Sequence, residues 1–217
     1  MHIEHSKTNN QKGTWLGDAL TPASEPSMFS EAIPLGQRWL EMSEDGLQPA
    51  SAKLGWTPQG VHVRVEIADA GIVSAATDDN QSLYLLGDTV EVFLQCSGQN
   101  EYLELHVSPR NHRTALRWPL GAIEKVRENT GARIEDYRID AACFKSYVEL
   151  TATGWIADIT IPPQVFGLEA WPSGLEVLFS VSRYDYAEVG GEPILSTIAN
   201  HRVRNFHLTA DWLRVTL

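Results

Sequence analysis

The residues of this chain best equipped for chemistry are Glu91, Glu104, His106 and Arg183. Carboxylates accept hydrogen bonds in pairs, a guanidinium donates in a fixed fork, and an imidazole can do either. Tyr84, Tyr102, Tyr184 and Trp118 add flat rings with polar edges. Together these groups suit a sugar ring, whose C–H faces stack on aromatics and whose hydroxyls need paired donors and acceptors. Two carboxylates are also the machinery of glycoside hydrolysis, which requires one carboxyl protonated and the other ionised. On a water-exposed sheet face nothing separates the two pKa values, so binding without turnover is the expectation. The chain has no Gly-x-Ser-x-Gly elbow, phosphate-binding glycine loop or dinucleotide fingerprint.

The element that must position these groups runs from Asp88 to Pro109. Val90, Val92, Leu94 and Cys96 alternate with Glu91, Phe93 and Gln95; Leu103, Leu105 and Val107 alternate with Tyr102, Glu104 and His106. That period of two marks half-buried strands. Ser97-Gly98-Gln99-Asn100 supplies a four-residue hairpin loop. With that loop Cys96 pairs with Glu101, Glu91 faces His106, Phe93 faces Glu104 and Gln95 faces Tyr102. One face is aliphatic and belongs in a core. The other, carrying the carboxylates, imidazole and rings, is expected to face outward.

Two more hairpins read in the same way. Residues 50–57 and 61–69 are joined by Pro58-Gln59-Gly60, and residues 146–152 and 154–161 turn around Thr153-Gly154. Further strands are expected at Arg113–Trp118, 175–183 and 211–217, with short helical turns within 119–132 and Pro163–Gly167. Trp39, Trp56, Trp155, Trp171 and Trp212, like Trp15, read as core residues rather than ligand platforms. Many strands, frequent Gly/Pro punctuation and no long amphipathic helix give an all-β fold, a single antiparallel β-sandwich of jelly-roll type. Residues 1–13 are expected to be a flexible N-terminus and 14–217 one domain, whose irregular arm (Trp15–Pro49) packs along the sandwich.

Seventeen basic against 28 acidic residues give a net charge of −11. Such a surface repels phosphate backbones and excludes nucleic acid as an expected partner, while neutral glycans are indifferent to it. No apolar run approaches the ~18 residues of a membrane span, so no membrane partner is expected. The first residues lack the apolar core of a secretory signal, and the chain as written reads as cytoplasmic. Cys96 and Cys143 form no metal-ligand motif and read as separate thiols. Asp69, Asp78, Asp79, Asn80 and Asp88 put oxygen donors in or beside one loop, a set suited to a hard cation but without EF-hand alternation; solvated loop acids are the simpler reading. No cofactor is expected.

An ordered set of short motifs spans roughly residues 50–210. It begins with Gly87-Asp88-x-Val90-Glu91-Val92-Phe93 and Glu104-x-His106-x-Ser108-Pro109-x-Asn111. Gly154-Trp155-Ile156-Ala157, Ile161-Pro162, Ser182-Arg183-Tyr184-Asp185 and Asn205-Phe206-His207 follow. The set resembles the family 9 carbohydrate-binding modules and their DOMON-like relatives. The resemblance implies a β-sandwich that binds a saccharide without cleaving it, and Glu91, Glu104, His106 and Arg183 are the polar contacts expected from their chemistry. It also implies relatives that carry structural calcium and are often secreted. A relative that has lost sugar binding and serves as a structural or interaction module is the alternative. The family commonly has a Trp three residues before the Asp, where this chain has Leu85 beside Tyr84. The stacking surface is therefore expected from Tyr102 and Tyr184, and from Tyr84 only if a bulge at Leu86-Gly87 resets the strand alternation.

Overall fold

The computed structural model describes residues 29–217. The expectations for the flexible N-terminus and for Trp15 lie outside them. The described chain forms twelve strands. They are β1 (Ile33–Pro34), β2 (Ala50–Thr57), β3 (Gly60–Ala68), β4 (Thr89–Cys96), β5 (Glu101–Val107), β6 (Arg113–Pro119), β7 (Arg138–Ile139), β8 (Lys145–Thr151), β9 (Gly154–Ile161), β10 (Glu176–Asp185), β11 (Ile194–Thr197) and β12 (Leu213–Thr216). One six-residue helix, α1 (Ala122–Arg127), and short 3₁₀ turns complete it.

All pairings are antiparallel, in two sheets. The smaller has the order β1-β2-β3-β9-β8, the larger β11-β10-β4-β5-β6-β7, with β12 also paired to β10. The chain enters the larger sheet at β4, returns to the smaller at β8 and crosses back at β10. The first three visits each begin or end on a hairpin expected from alternation, and the last, β10 to β12, does not. Within the central one the register holds from Val90↔Val107 through Glu91↔His106 to Leu94↔Leu103. The short strands β1, β7 and β11 had too few residues to show alternation.

Between the sheets, Val90, Val92 and Leu94 of β4 and Leu103, Leu105 and Val107 of β5 meet Val61, Val63 and Val65 of β3 and Trp155, Ala157 and Ile159 of β9. These side chains are nearly all sealed from water, and each fully buried aliphatic contributes about 1.5–3 kcal/mol. Before β2, the chain runs along that strand's edge: Ser30 N–H donates to the Leu54 carbonyl at 2.7 Å, and Ile33 pairs with Ala52.

The far face of the larger sheet departs from expectation. It is not exposed. Phe93, Tyr102, Leu116 and Trp118 on that face form a second core with Ala122 and Ile123 of α1 and with Ala199, Phe206 and Trp212 of the segment before β12. An aromatic face of this size has too much apolar surface to leave in water, and the irregular segments between strands fold over it. Trp118 is 1% exposed and stacks on Tyr137 at 4.6 Å, so it is packing and not a platform.

Gly87 sets the entry to β4. Its φ is +136°, and a Cβ there would lie 2.2 Å from the Val73 carbonyl oxygen, because residues 74 and 87 form an isolated bridge. Backbone cannot yield as a flexible side chain would. Gly87→Ala is expected to destabilise the protein by roughly 2 kcal/mol or more, read as a lowered urea midpoint. An unchanged midpoint would show that the loop before β4 adapts.

Candidate functional site

On the buried far face, register alone brings Glu91, Glu104 and His106 together: Glu91 opposes His106 across β4 and β5, and Glu104 is two residues along β5. His106 Nε2 lies 2.7 Å from Glu104 Oε1 and 3.3 Å from Glu91 Oε1. All three are at most 5% exposed. The second oxygen of Glu104 accepts from Trp118 Nε1 at 2.5 Å and lies 3.8 Å from His207 Nε2. His207 in turn shares a 2.7 Å hydrogen bond between its Nδ1 and the Tyr102 hydroxyl. One carboxylate thus gathers an indole and two imidazoles.

This environment separates the two carboxyls, which the outward-facing picture could not do. Burial pushes Glu91 up to about 8, with Glu104 adding to the rise and His106 opposing it. Burial alone would also raise Glu104, but His207, the bond to His106 and the Trp118 N–H outweigh it and hold that carboxyl below its usual range. On His106, burial opposes the charge and the facing carboxylates prevail, raising it. His207, more deeply desolvated than compensated, is lowered.

Tyr84 joins the cluster without the bulge that strand alternation would require. Leu83–Leu85 is a 3₁₀ turn, where successive side chains point about 120° apart. Leu83 is sealed inside, Leu85 is 57% exposed, and the Tyr84 ring lies 6.1 Å from His106, edge-on, and 5.8 Å from Tyr184. The Tyr186 hydroxyl donates to the Tyr84 carbonyl at 2.5 Å and fixes the turn. Tyr184 also meets Phe206 at 5.9 Å. Beside these rings a cleft opens to solvent, lined by Tyr184, Phe206, His207, Asn205, Arg127, Arg204 and Glu192. In the sequence Phe206 and His207 stand out only as part of a motif. Their place here depends on the path of an irregular segment, which no periodicity reveals.

Arg183 is not part of this cluster. It pairs with Val90 and therefore points to the opposite face of the sheet, where it is fully buried. Its Nη2 lies 3.0 Å from Asp185 Oδ2 and 3.5 Å from Asp69 Oδ2, and Nη1 donates to the Gln48 carbonyl at 3.4 Å. Asp69 also accepts from Trp155 Nε1 and the Gly71 N–H. Asp88 accepts from the Val73 and Tyr186 N–H groups; burial pushes it up to about 7 despite them. Tyr184, next in sequence, faces the Glu91 side, so period two splits the Arg-Tyr pair between two layers.

The cation donors foreseen in one loop also separate. Asp78 and Asp79 are exposed, and Asp79 is bound to Arg113 at 2.9 Å. Asp69, Asp88 and Asp185 do bring one oxygen each within 4.8 Å of one another. Arg183 already stands among them as the cation, and backbone N–H groups hold Asp88. A calcium ion takes six to eight oxygens (about) in place of such donors, so this set does not suit one. Glu91, Glu104 and His106 likewise converge within 4.8 Å, at separations that hydrogen bonding accounts for. Cys96 and Cys143 are free thiols. No helix among the described residues is long and apolar enough to cross a membrane.

No family profile matches the chain, and no curated protein matches it in sequence. Solved structures do match in fold. A Bacteroides uniformis protein whose description is carbohydrate-binding superposes with a TM-score of 0.69 at 13% identity, over 86% of this chain and 85% of that one. A family 9 carbohydrate-binding module from Caldicellulosiruptor kristjanssonii in complex with cellotriose gives 0.58 at 17% identity, covering 86% and 81%. The corresponding complex with glucose gives 0.57 at 18%, covering 85% and 83%. The chain therefore has a fold like that of family 9 carbohydrate-binding modules.

Two outcomes are expected. A folded Glu91 that keeps its proton up to about 8, against 4.5 in the unfolded chain, contributes fully below the lower value and progressively less as pH rises through that window. His106, also raised, acts in the same direction, and Glu104, lowered, in the opposite one. The Glu91→Gln variant removes the first and with it part of the rise of His106, which acts in the same direction. Its melting temperature should fall less between about pH 5 and pH 8.5 than the parent's; equal falls would show Glu91 to be ionised in the fold. Arg183→Ala, which strands two buried carboxylates, should cost about 3–5 kcal/mol by denaturant titration. A cost below about 1 kcal/mol would mean the carboxylates simply take up protons.

Proposed function

We propose that this is a noncatalytic carbohydrate-binding domain whose saccharide lies in the cleft over Tyr184, Phe206, Asn205 and His207. The observation that supports it best is convergence. Rings, an amide and an imidazole meet at one opening, with His207 oriented from behind by Glu104 and the Tyr102 hydroxyl. The shared fold adds support, since relatives of that fold hold cellotriose and glucose.

In this reading Tyr184 supplies the stacking surface that Leu85 cannot. Glu91, Glu104, His106 and Tyr102 stand behind His207 as the preorganised base, and direct contact with a hydroxyl falls first to the Asn205 side-chain amide, since the His207 ring nitrogens already face Tyr102 and Glu104. Hydrogen bonds to hydroxyls largely replace those to water and give little net affinity each, so the ring contact dominates. Turnover is not expected, because the carboxyls whose pKa values are drawn apart are sealed from water.

A glycan array and a hydrolysis assay on one preparation test this, followed by calorimetry with glucose and cellotriose. Binding without product is the expected result. Product formation would make the Glu91–Glu104 pair catalytic, and silence in both assays would favour a structural or interaction module. Tyr184→Ala should weaken binding by about 1–3 kcal/mol, by analogy with aromatic stacking on nucleobases, and Leu85→Ala should leave it nearly unchanged. The reverse order would place the ligand elsewhere.

A further inference from the structure

The charge around the cleft is unlike the charge of the rest of the molecule. The chain is strongly acidic, and its arginines mostly end on carboxylates: Arg64 on Asp158, Arg113 on Asp79, Arg117 on Glu101 and Arg214 on Glu176. In such a background an arginine readily finds an acid. Arg127 and Arg204, like the exposed Arg38, Arg110 and Arg202, have no carboxylate partner among the described residues, and of these they are the two that meet at one opening. Arg127 donates to the Asn205 Oδ1 at 3.0 Å, a neutral acceptor, which leaves its remaining N–H groups for another. Both arginines are exposed, so the guanidiniums stay hydrated until something takes the place of water.

Resting on the carbohydrate reading above, we infer that the cleft selects a sugar bearing a carboxylate, a hexuronic acid or a glycan that presents one. A guanidinium matches a carboxylate with two parallel hydrogen bonds, a geometry that no neutral hydroxyl can use. With the pyranose ring against Tyr184, a carboxylate at the ring's edge meets Arg127 and Arg204 on the cleft wall. The Asn205 amide N–H group remains for hydroxyls, its Oδ1 being taken by Arg127 and the His207 backbone N–H. Glu192 is the one acid on the lining; it repels a badly oriented carboxylate and accepts from hydroxyls, so it sets orientation. The overall charge of −11 opposes an anion only weakly at the cleft, because salt screens charges beyond about 8–10 Å.

The test is calorimetry on the full chain with glucuronate, galacturonate and mannuronate, each paired with its neutral hexose. At least one uronate should bind roughly tenfold or more tightly than its hexose, the worth of one charge-assisted contact. That ratio should shrink in 0.5 M salt (an order-of-magnitude choice, about a 4–5 Å screening length). Arg127→Gln and Arg204→Gln, both surface changes, should each bring the ratio towards one. Hexoses that bind as tightly as their uronates overturn this inference and leave the carbohydrate reading standing. A uronate preference that survives both substitutions overturns the role of the arginines. If neither class binds and the glycan array is silent, the carbohydrate reading fails and this inference with it.

Discussion

Two carboxylates and an imidazole have been taken out of water on a sheet face that sequence pattern would leave wet, and much of the surrounding structure answers that cost. A buried polar group needs a partner, and a buried charge needs a good one. Trp118 must reach β5 with its N–H, which fixes the indole against Tyr137. His207 must approach from the other side, and Tyr102 holds it there. The segment carrying His207 is itself tied down, with Trp212 Nε1 donating to the Phe206 carbonyl at 2.8 Å and His201 facing Asp211 at 3.2 Å. Polar satisfaction below and aromatic packing above therefore fix one and the same irregular segment.

The opposite face of the same strands solves a similar problem differently. There Arg183, Asp69, Asp185 and Asp88 close one end of the sandwich interior, with a guanidinium as the local counter-charge. Nε and Nη2 of Arg183 have no directed hydrogen bond among the described residues, so attraction across 3.0–3.5 Å does most of the holding. Strand β10 thus presents Arg183 to one layer and Tyr184 to the other. A one-residue slip would exchange them and place a ring among carboxylates.

The sandwich was legible wherever alternation was long enough to set a register. Val90 to Leu94 against Leu103 to Val107 is such a case, and the Glu91–His106 juxtaposition followed from it. Burial of that face was not legible, because period two distinguishes the faces of a strand but not which of them is covered. Phe93, Tyr102 and Trp118 were the available signal: three large rings on one face ask for a lid, even when carboxylates stand among them. Arg183 was misplaced for a simpler reason. Its face follows from pairing with Val90, and no hairpin loop ties β10 to β4 to fix that register in advance. The direction of Tyr84 does not follow from alternation, because a 3₁₀ turn stands where a strand is expected.

That missing loop has a consequence for the order in which the molecule can be made. Strand β4 ends up buried along its whole length, yet its two neighbours come from different stretches of chain. β5 follows it directly, whereas β10 lies at Glu176–Asp185. During synthesis the hairpin can close early, but one edge of β4 then stays unpaired while some eighty residues (about) are added, several seconds at ~5–20 residues per second. Its sequence, TVEVFLQC, is rich in β-formers and carries one charge, the composition that recruits foreign strands. Glu91 sits in the middle of it. Before folding it is a solvated anion that discourages such pairing, and afterwards it becomes one of the most deeply buried acids in the protein.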